Sequence, residues 1–484
     1  MTKPNVLLVV MDSVRAENVS LYGHENETMP RLEEFAQKAT VYEHAYSPGT
    51  WSLPAHVSLF TGLDVEEHRI IDENDKLQPG QTIFETLRDD HGYDTGVFSE
   101  NSWLTEMDCG LRDPFETVEG PRNLLYPEAA DPSKFVLTHG EGEYLDYLKF
   151  VLGHDEPLKS ALNGIYTKLA WDYPNLLSGL VTAGTSADVY TDLVLDWTQE
   201  RDGPWAACVN YMDPHLPYEP KDEFDHWGGE EAKEIHSEVS DTKWEFIAGD
   251  RPWWQHAALE GLYDGAIRQT DHEIHRLLAG LEQRGELEDT LVVVTADHGE
   301  GFGEIDQVSG LRSVAHGLGI DEGVVRVPLV VKQPHQTEGR TVEEPVSLRE
   351  FPSVVSALAE DDGPEDFTSD EPVVASSNGV KGPMKHRAVR YIDDETLALY
   401  DTQYLAVYRE EDGALVKYMT WDDEESAAVE IRGHQQMPVE RDDPAEVVRS
   451  AFEDKPEANV KTKGDGIEET DDAVMQRLED LGYA

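Results

Sequence analysis

The apolar residues of this chain come in short, nearly unbroken runs separated by amphipathic stretches. Five runs stand out: Asn5–Met11, Thr95–Phe98, Trp205–Met212, Thr290–Ala296 and Val327–Val331. Most are continuous, not alternating, the pattern of strands in a parallel sheet covered by helices on both faces. Between them, Arg31–Thr40, Thr82–Asp89 and Asp188–Gln199 carry helical spacing, the last with Val189, Leu193, Val194 and Trp197 on one stripe. The plainest helix spans about 258–283, with Ile267, Ile274, Leu277, Leu278 and Leu281 in phase and Gly285 as its stop. Strand–helix alternation of this kind predicts an α/β sandwich around a mostly parallel mixed sheet.

Two stretches break the rhythm. Residues 112–185 are interrupted by prolines and aromatics, and 219–257 are polar apart from Trp227, Trp244, Trp253 and Trp254. Both read as insertions, serving either as surface structure or as the rim of a substrate site. From about 366 the character changes. Thr396–Tyr400, Tyr404–Tyr408 and Ala414–Thr420 read as strands of a small antiparallel meander, Glu453–Asp471 as a polar linker, and Asp472–Leu481 as a closing helix before Gly482. The division expected is an α/β domain over 1–365 and an α+β subdomain over 366–484.

Charge adds a second constraint. The chain has 484 residues, with 99 acids against 39 Lys and Arg, for a net charge of −60. The acids are spread along its length, which describes a solvated acidic shell, not an interaction tail. Self-repulsion of this size is tolerated where salt screens it, so the composition points to a high-salt cytoplasm of haloarchaeal type, with a cationic partner as the alternative. No basic stripe exists to meet phosphates, which argues against nucleic-acid binding. Cys109 and Cys208 do not form a disulfide framework, and Cys208 lies within an apolar run as a core residue would. There is no charged leader with a long apolar stretch, and no run of the ~20 apolar residues that a membrane span needs. The expectation is a soluble, cytoplasmic protein; nothing in the sequence sets an oligomeric state.

Candidate chemistry sits at the ends of the apolar runs. Asp12 follows the first run, and Asp297-His298-Gly299-Glu300 follow the fourth. Carboxylates and an imidazole where parallel strands end lie at the usual ligand crevice of an α/β sheet and could hold a divalent cation. Ser52 precedes Pro54 in a predicted helix running to Thr61. It is either a helix N-cap or a hydroxyl placed at the positive end of the helix dipole, where an oxyanion is favoured. A serine hydroxyl is too weak an acid to attack unaided, so the catalytic reading requires a metal.

Ser52-Leu53-Pro54-Ala55-His56, with the helix to Thr61-Gly62, resembles the sulfatase signature Cys/Ser-x-Pro-x-Arg. Asp12, Asp297-His298-Gly299-Glu300, the segment Val324–Leu329 and the terminal Arg477–Tyr483 fall in that family's order. The chain thus resembles the sulfatase branch of the alkaline-phosphatase-like superfamily, in a haloarchaeal-type variant. The resemblance implies a central mixed sheet between helices, a smaller C-terminal sheet, and attack on a sulfate or phosphate ester of a small molecule or glycan. It assigns Ser52 as nucleophile and Asp12, Asp297 and His298 as ligands of one divalent ion. It assigns His215 and His316 to the ester or its leaving group.

Three departures alter the picture. Ser13 stands where many members have a second acid, and His298 where calcium-dependent members have Asn, which shifts the metal towards Mn²⁺, with Ca²⁺ or Mg²⁺ as alternatives. His56 replaces the signature arginine, which implies an unmodified Ser52 and not formylglycine. An unmodified serine suits a phosphodiesterase, a phosphonate-monoester hydrolase or phosphoryl transfer as well as sulfate hydrolysis. A non-catalytic metal-containing binder is the reading from another class. His56 would orient Ser52 or bind the anion, Arg15 would meet the anion or a neighbouring acid, and Asn101 is a further substrate-contact candidate. His24 and His68 read as loop residues, and His236, His256, His272 and His275 as surface or helix-face residues.

The charge reading makes one prediction. The melting temperature should rise by several degrees as KCl increases from about 0.1 M to about 1 M, where the Debye length shrinks from about 10 Å to about 3 Å. A flat or falling melting curve in differential scanning calorimetry would argue against salt adaptation.

Overall fold

The protein is described by a computed structural model covering residues 3–121, 129, 132, 144–152, 156–172, 186–360, 365–421, 425–453 and 455–464. Its centre is an eight-stranded sheet. In chain order the strands are β1 (Asn5–Met11), β2 (Thr40–Tyr42), β3 (Asp94–Ser99), β4 (Thr117–Glu119), β5 (Trp205–Tyr211), β6 (Thr290–Thr295), β7 (Leu329–Lys332) and β8 (Arg340–Val342). Across the sheet they run β8-β2-β7-β6-β1-β5-β3-β4. The middle is parallel: β1 pairs with β5 and with β6, and β3 pairs with β5 and β4. Only β7 runs against its neighbours β6 and β2.

The continuous apolar runs are explained by burial on both faces. Every residue of β5 and β6 is buried, as is β1 from Val6 onward. Helices Ala187–Gln199 and Trp253–Gln283 pack against each other on one side of the chain's core. The opposite layer includes helices Ser52–Thr61, Ile83–Asp89 and Phe351–Glu360, which contact one another. Helix Ile83–Asp89 starts at a capping box in which Thr82 and Glu85 satisfy each other's backbone amides. A separate five-stranded antiparallel sheet follows, built from β9 (Val373–Asn378), β10 (Gln403–Glu411), β11 (Ala414–Trp421), β12 (Glu425–Arg432) and β13 (Gln435–Val439).

Several boundaries differ from the sequence reading for identifiable reasons. Val327–Val331 is not one strand: Pro328, which has no N–H, separates Arg326–Val327 from β7, and the two pieces join different sheets. The helix expected over Arg31–Thr40 runs from Pro30 to Ala36, and Thr40 opens β2. Thr396–Tyr400 is not a strand but most of a helix, Asp394–Tyr400, because Asp393 accepts the Thr396 amide as an N-cap and Leu397 packs beside Trp244. Trp253 and Trp254, read as part of an insertion, begin the long helix. Within the stretch read as a linker, Lys461–Lys463 forms a strand paired with Asp75–Leu77, while the expected helix Asp472–Leu481 lies outside the described residues. Ser52 is the first residue of its helix, and Trp51 occupies the N-cap.

Two histidines read as peripheral are internal. His256 is buried on the long helix against Phe246 and Phe302. His68 closes a short helix, is fully buried, accepts the Ile70 amide at Nδ1 (3.0 Å) and meets Ser58 Oγ at 3.1 Å through Nε2. That arrangement requires the neutral ring, and burial pushes its pKa down to about 3. The unfolded histidine takes up a proton near 6.5, so between pH 6.5 and 3 the unfolded chain binds more protons and stability must fall with pH. The contribution is up to about 1.4 kcal/mol per pH unit. His68→Gln should therefore lose stability less steeply than wild type between pH 6 and pH 4 in urea unfolding at constant salt. Parallel curves would contradict a neutral His68.

Candidate active site

The parallel pairing of β1 with β6 puts Val10 beside Thr295, so the residues just past each strand emerge side by side at the carboxyl edge of the sheet. Asp12 leaves β1 with its amide still bonded to the Tyr211 carbonyl of β5 at 2.9 Å. Asp297 lies two residues beyond β6. Asn101 lies two beyond β3, and His215 four beyond β5. Ser52 arrives from the first turn of helix Ser52–Thr61, and His316 follows a two-stranded hairpin, Gly301–Ile305 with Arg312–Ala315.

Each aspartate is held through one oxygen. Asp12 Oδ2 accepts from Asn101 Nδ2 at 2.8 Å and Asn210 Nδ2 at 3.0 Å. Asp297 Oδ1 accepts from the backbone amides of Ser13 (3.1 Å) and His298 (3.0 Å). Ser13 reaches this position in the left-handed region, with φ of 56°, which turns its amide towards Asp297. The other two oxygens, Asp12 Oδ1 and Asp297 Oδ2, are buried and have no hydrogen-bond partner.

His298 completes the cluster. Its Nδ1 donates to the Gly299 carbonyl at 2.9 Å, so the Nε2 lone pair faces the carboxylates, 3.4 Å from Asp297 Oδ2 and 3.9 Å from Asp12 Oδ1. Burial pushes its pKa down to about 4 and keeps the ring neutral near pH 7. Burial, reinforced by the neighbouring Asp297, pushes the Asp12 carboxyl up. One ligand atom each from Asp12, Asp297 and His298 lies within 4.8 Å of the others. Two buried carboxylate oxygens without donors, facing an imidazole lone pair, form a set that a divalent cation would satisfy. Ser52 Oγ stands 3.4 Å from His298 Nε2.

The remaining histidines surround this group. His56 Nδ1 donates to the Ser52 carbonyl at 2.9 Å, one helical turn back, and lies 3.5 Å from Asp297 Oδ2. His316 has its ring centroid 4.5 Å from that of His298 and 5.0 Å from that of His215. Its Nδ1 meets Glu300 Oε2 at 3.2 Å, and burial pushes its pKa well below the usual value. His215 Nδ1 donates to the Leu216 carbonyl at 2.7 Å.

The structure thus brings together Asp12, Ser52, His56, Asn101, His215, Asp297, His298 and His316. Arg15 turns elsewhere: it pairs with Glu260 at 2.6 Å and with Glu304, and hydrogen-bonds Asn18, so its guanidinium meets neighbouring acids. Asn101 contacts Asp12 and caps the short helix Ser102–Thr105 by accepting the Trp103 amide.

Asn210 and Lys243 were not picked out by sequence, and Glu300, quoted beside Asp297 and His298, was given no role of its own. Asn210 is the one strongly polar side chain in the run Trp205–Met212, and a buried amide demands a partner, so the signal was present. Glu300 is fully buried against His316; burial pushes its carboxyl up while Lys243 opposes the shift. Lys243 carried no sequence signal, since it comes from the stretch 219–257, yet its ammonium donates to the His316 carbonyl at 2.7 Å.

Comparison with known proteins gives the family and the fold. The chain is 21% identical over 376 residues to the arylsulfatase of Clostridium perfringens, covering 72% of this chain and 73% of that protein. It is 25% identical over 362 residues to an ulvan-active sulfatase of Formosa agariphila, covering 74% of this chain and 61% of the relative. Among solved structures, the phosphonate monoester hydrolase of Agrobacterium radiobacter aligns over 94% of each chain with a TM-score of 0.60 at 17% identity, a likeness of fold. The sulfatase family model matches residues 4–361, and with the alkaline-phosphatase-like sheet and its flanking layers this places the chain in the sulfatase family.

Proposed function

We propose that the protein is a metal-dependent hydrolase of sulfuric esters in which Ser52, unmodified, is the nucleophile. The observation that carries this reading is the convergence of Ser52 Oγ on His298 Nε2 beside two buried carboxylate oxygens that lack donors. Asp12, Asp297 and His298 would hold one divalent cation, Mn²⁺ in preference to Ca²⁺ or Mg²⁺, because an imidazole is among the donors. Held by these residues, such an ion would supply charge neutralisation for the ester oxygens and would lower the proton affinity of the serine hydroxyl.

The protein residues divide the remaining work. Ser52 Oγ passes its proton to the neutral imidazole of His215 or His316 and forms a bond to sulfur as the bond from sulfur to the leaving oxygen breaks. The imidazolium formed in this way returns the proton to the leaving oxygen, and the alcohol departs. Water then cleaves the ester on Ser52, regenerating the hydroxyl and releasing sulfate. His56 holds the Ser52 end of the helix through its bond to the Ser52 carbonyl. The substrate class is a small-molecule or glycan ester, and a cytoplasmic location fits the acidic composition.

A second reading has a specific support. His56 stands where the signature has arginine, and an aligned solved structure is a phosphonate monoester hydrolase. An unmodified serine transfers a phosphoryl or phosphonyl group through the same covalent ester, so phosphonate monoesters and phosphodiesters are the alternative substrates.

The test is a substrate panel at high salt with Mn²⁺ or Ca²⁺: sulfate monoesters, phosphate monoesters, phosphodiesters and phosphonate monoesters. Sulfate turnover should lead, EDTA should abolish it, and Ser52→Ala should lower kcat at least about a thousandfold. The intact mass of the peptide containing Ser52 should be that of plain serine, and a formylglycine mass would overturn that part of the proposal. Turnover of phosphonates or phosphodiesters alone would favour the second reading. If every ester is inert, and Ser52→Ala leaves ligand binding intact, the protein is a binder.

A further inference from the structure

The surroundings of Asp12 are asymmetric in a way the ligand assignment does not explain. Its Oδ2 receives two side-chain amides, Asn101 Nδ2 at 2.8 Å and Asn210 Nδ2 at 3.0 Å, while Oδ1 receives none. Both residues are fully buried, and the Asn101 amide is oriented independently of the carboxylate. Asn101 Oδ1 accepts the Trp103 amide at 3.0 Å, which leaves only its NH₂ to face Asp12. Asn210 Nδ2 also reaches Ser99 Oγ at 3.2 Å, and Ser99 Oγ in turn accepts the Asn101 amide at 2.9 Å. The two asparagines and Ser99 therefore form one network on adjacent strands, with Asp12 Oδ2 at its centre.

We propose that Asn101 and Asn210 are positioning residues that set how Asp12 binds the cation. By occupying Oδ2 they leave one oxygen of Asp12 for the metal and resist two-oxygen binding, which favours Mn²⁺ over Ca²⁺. This rests on the metal reading above. Asp297 is treated alike, with Oδ1 tied to the Ser13 and His298 amides and Oδ2 free. The protein thus offers one oxygen per carboxylate and one imidazole nitrogen. Calcium takes six to eight oxygens and readily uses both oxygens of a carboxylate, whereas a smaller ion with a nitrogen donor does not need them. A neutral amide suits this task because it orients the carboxylate without cancelling its charge. An ammonium or guanidinium in the same place would compete with the ion.

The test measures metal binding directly. Full-length protein is freed of metal with EDTA and titrated with MnCl₂ and with CaCl₂ by calorimetry at high salt, for wild type and for Asn210→Ala, Asn101→Ser and Asp12→Ala. Asn101→Ser keeps a residue able to cap helix Ser102–Thr105, and the melting temperature without metal checks that each variant is folded. Wild type should bind Mn²⁺ more tightly than Ca²⁺. Each asparagine variant should lose about 10–100-fold in Mn²⁺ affinity, with a smaller change for Ca²⁺, so that the preference narrows. If a folded Asn101→Ser or Asn210→Ala keeps both the wild-type Mn²⁺ affinity and the wild-type preference while Asp12→Ala abolishes binding, the positioning role is wrong and the metal site stands. If Asp12→Ala binds Mn²⁺ as wild type does, the metal reading fails and takes this inference with it.

Discussion

Asp12 and Asp297 are like charges, both fully buried, brought together by the pairing of two strands whose own residues are entirely apolar at their centres. The register of β1 against β6 leaves no freedom to separate their ends. Burying an ion costs several kcal/mol even after relaxation. Much of the local structure counters that cost. Four N–H groups, two from asparagine side chains and two from the backbone, converge on one oxygen of each aspartate. The left-handed turn at Ser13 exists at the one place where its amide can serve Asp297. The Gly299 carbonyl fixes the His298 tautomer so that a lone pair, not a proton, faces the acids. What remains uncompensated is two oxygens aimed into the same small space.

The elements around this point act as supports for it. Helix Ser52–Thr61 delivers the serine and, a turn later, the His56 ring beside Asp297. The C-terminal sheet is joined to the same region by interactions that exclude water. Tyr46 stacks on Tyr408 with centroids 3.7 Å apart, and both their hydroxyls bond Glu322, which also pairs with buried Lys417 at 3.1 Å. The stretch 219–257 adds a second brace: Asp241 pairs with Arg387 at 2.9 Å, and Lys243, two residues on, holds the His316 carbonyl. A stretch legible as either surface or substrate rim thus sends one cation into the interior. On a surface crowded with acids, exposed pairs contribute little, and the buried ones set geometry.

The sheet was legible because two-sided burial leaves unbroken apolar runs, and all the central strands fall where those runs lie. The ends of elements were less so. Pro328 and the Asp393 cap decide local structure by hydrogen bonding, and apolar periodicity is blind to both. The site was legible where chemistry sits at strand ends, which is why Asp12, Asp297 and His298 stood out together with Ser52. Glu300 was visible beside His298 but without a role, and Lys243 was not legible, because both meet His316 only in the fold. Asn210 lies between these cases: its place in an apolar strand was visible, but its partner could come only from the fold.

The charge balance of the cluster bears on which ester it suits. Arg15, the nearest guanidinium in sequence to Asp12, is committed to Glu260 and Glu304, and Lys243 is set against buried Glu300. Burial keeps His298 and His316 neutral. With the proposed divalent ion in place, two carboxylates and one ion cancel, and the described residues add no unpaired guanidinium at the position the signature gives to arginine. Such a centre stabilises one negative charge on the ester better than two, since a second would be buried without a counter-charge. Sulfate monoesters, phosphodiesters and phosphonate monoesters each carry one charge near neutral pH, whereas phosphate monoesters carry close to two. On the proposed reading, a centre with His56 and no added guanidinium separates the candidate substrates by charge before it separates them by the central atom, and sulfur and phosphorus are alternatives within the singly charged group.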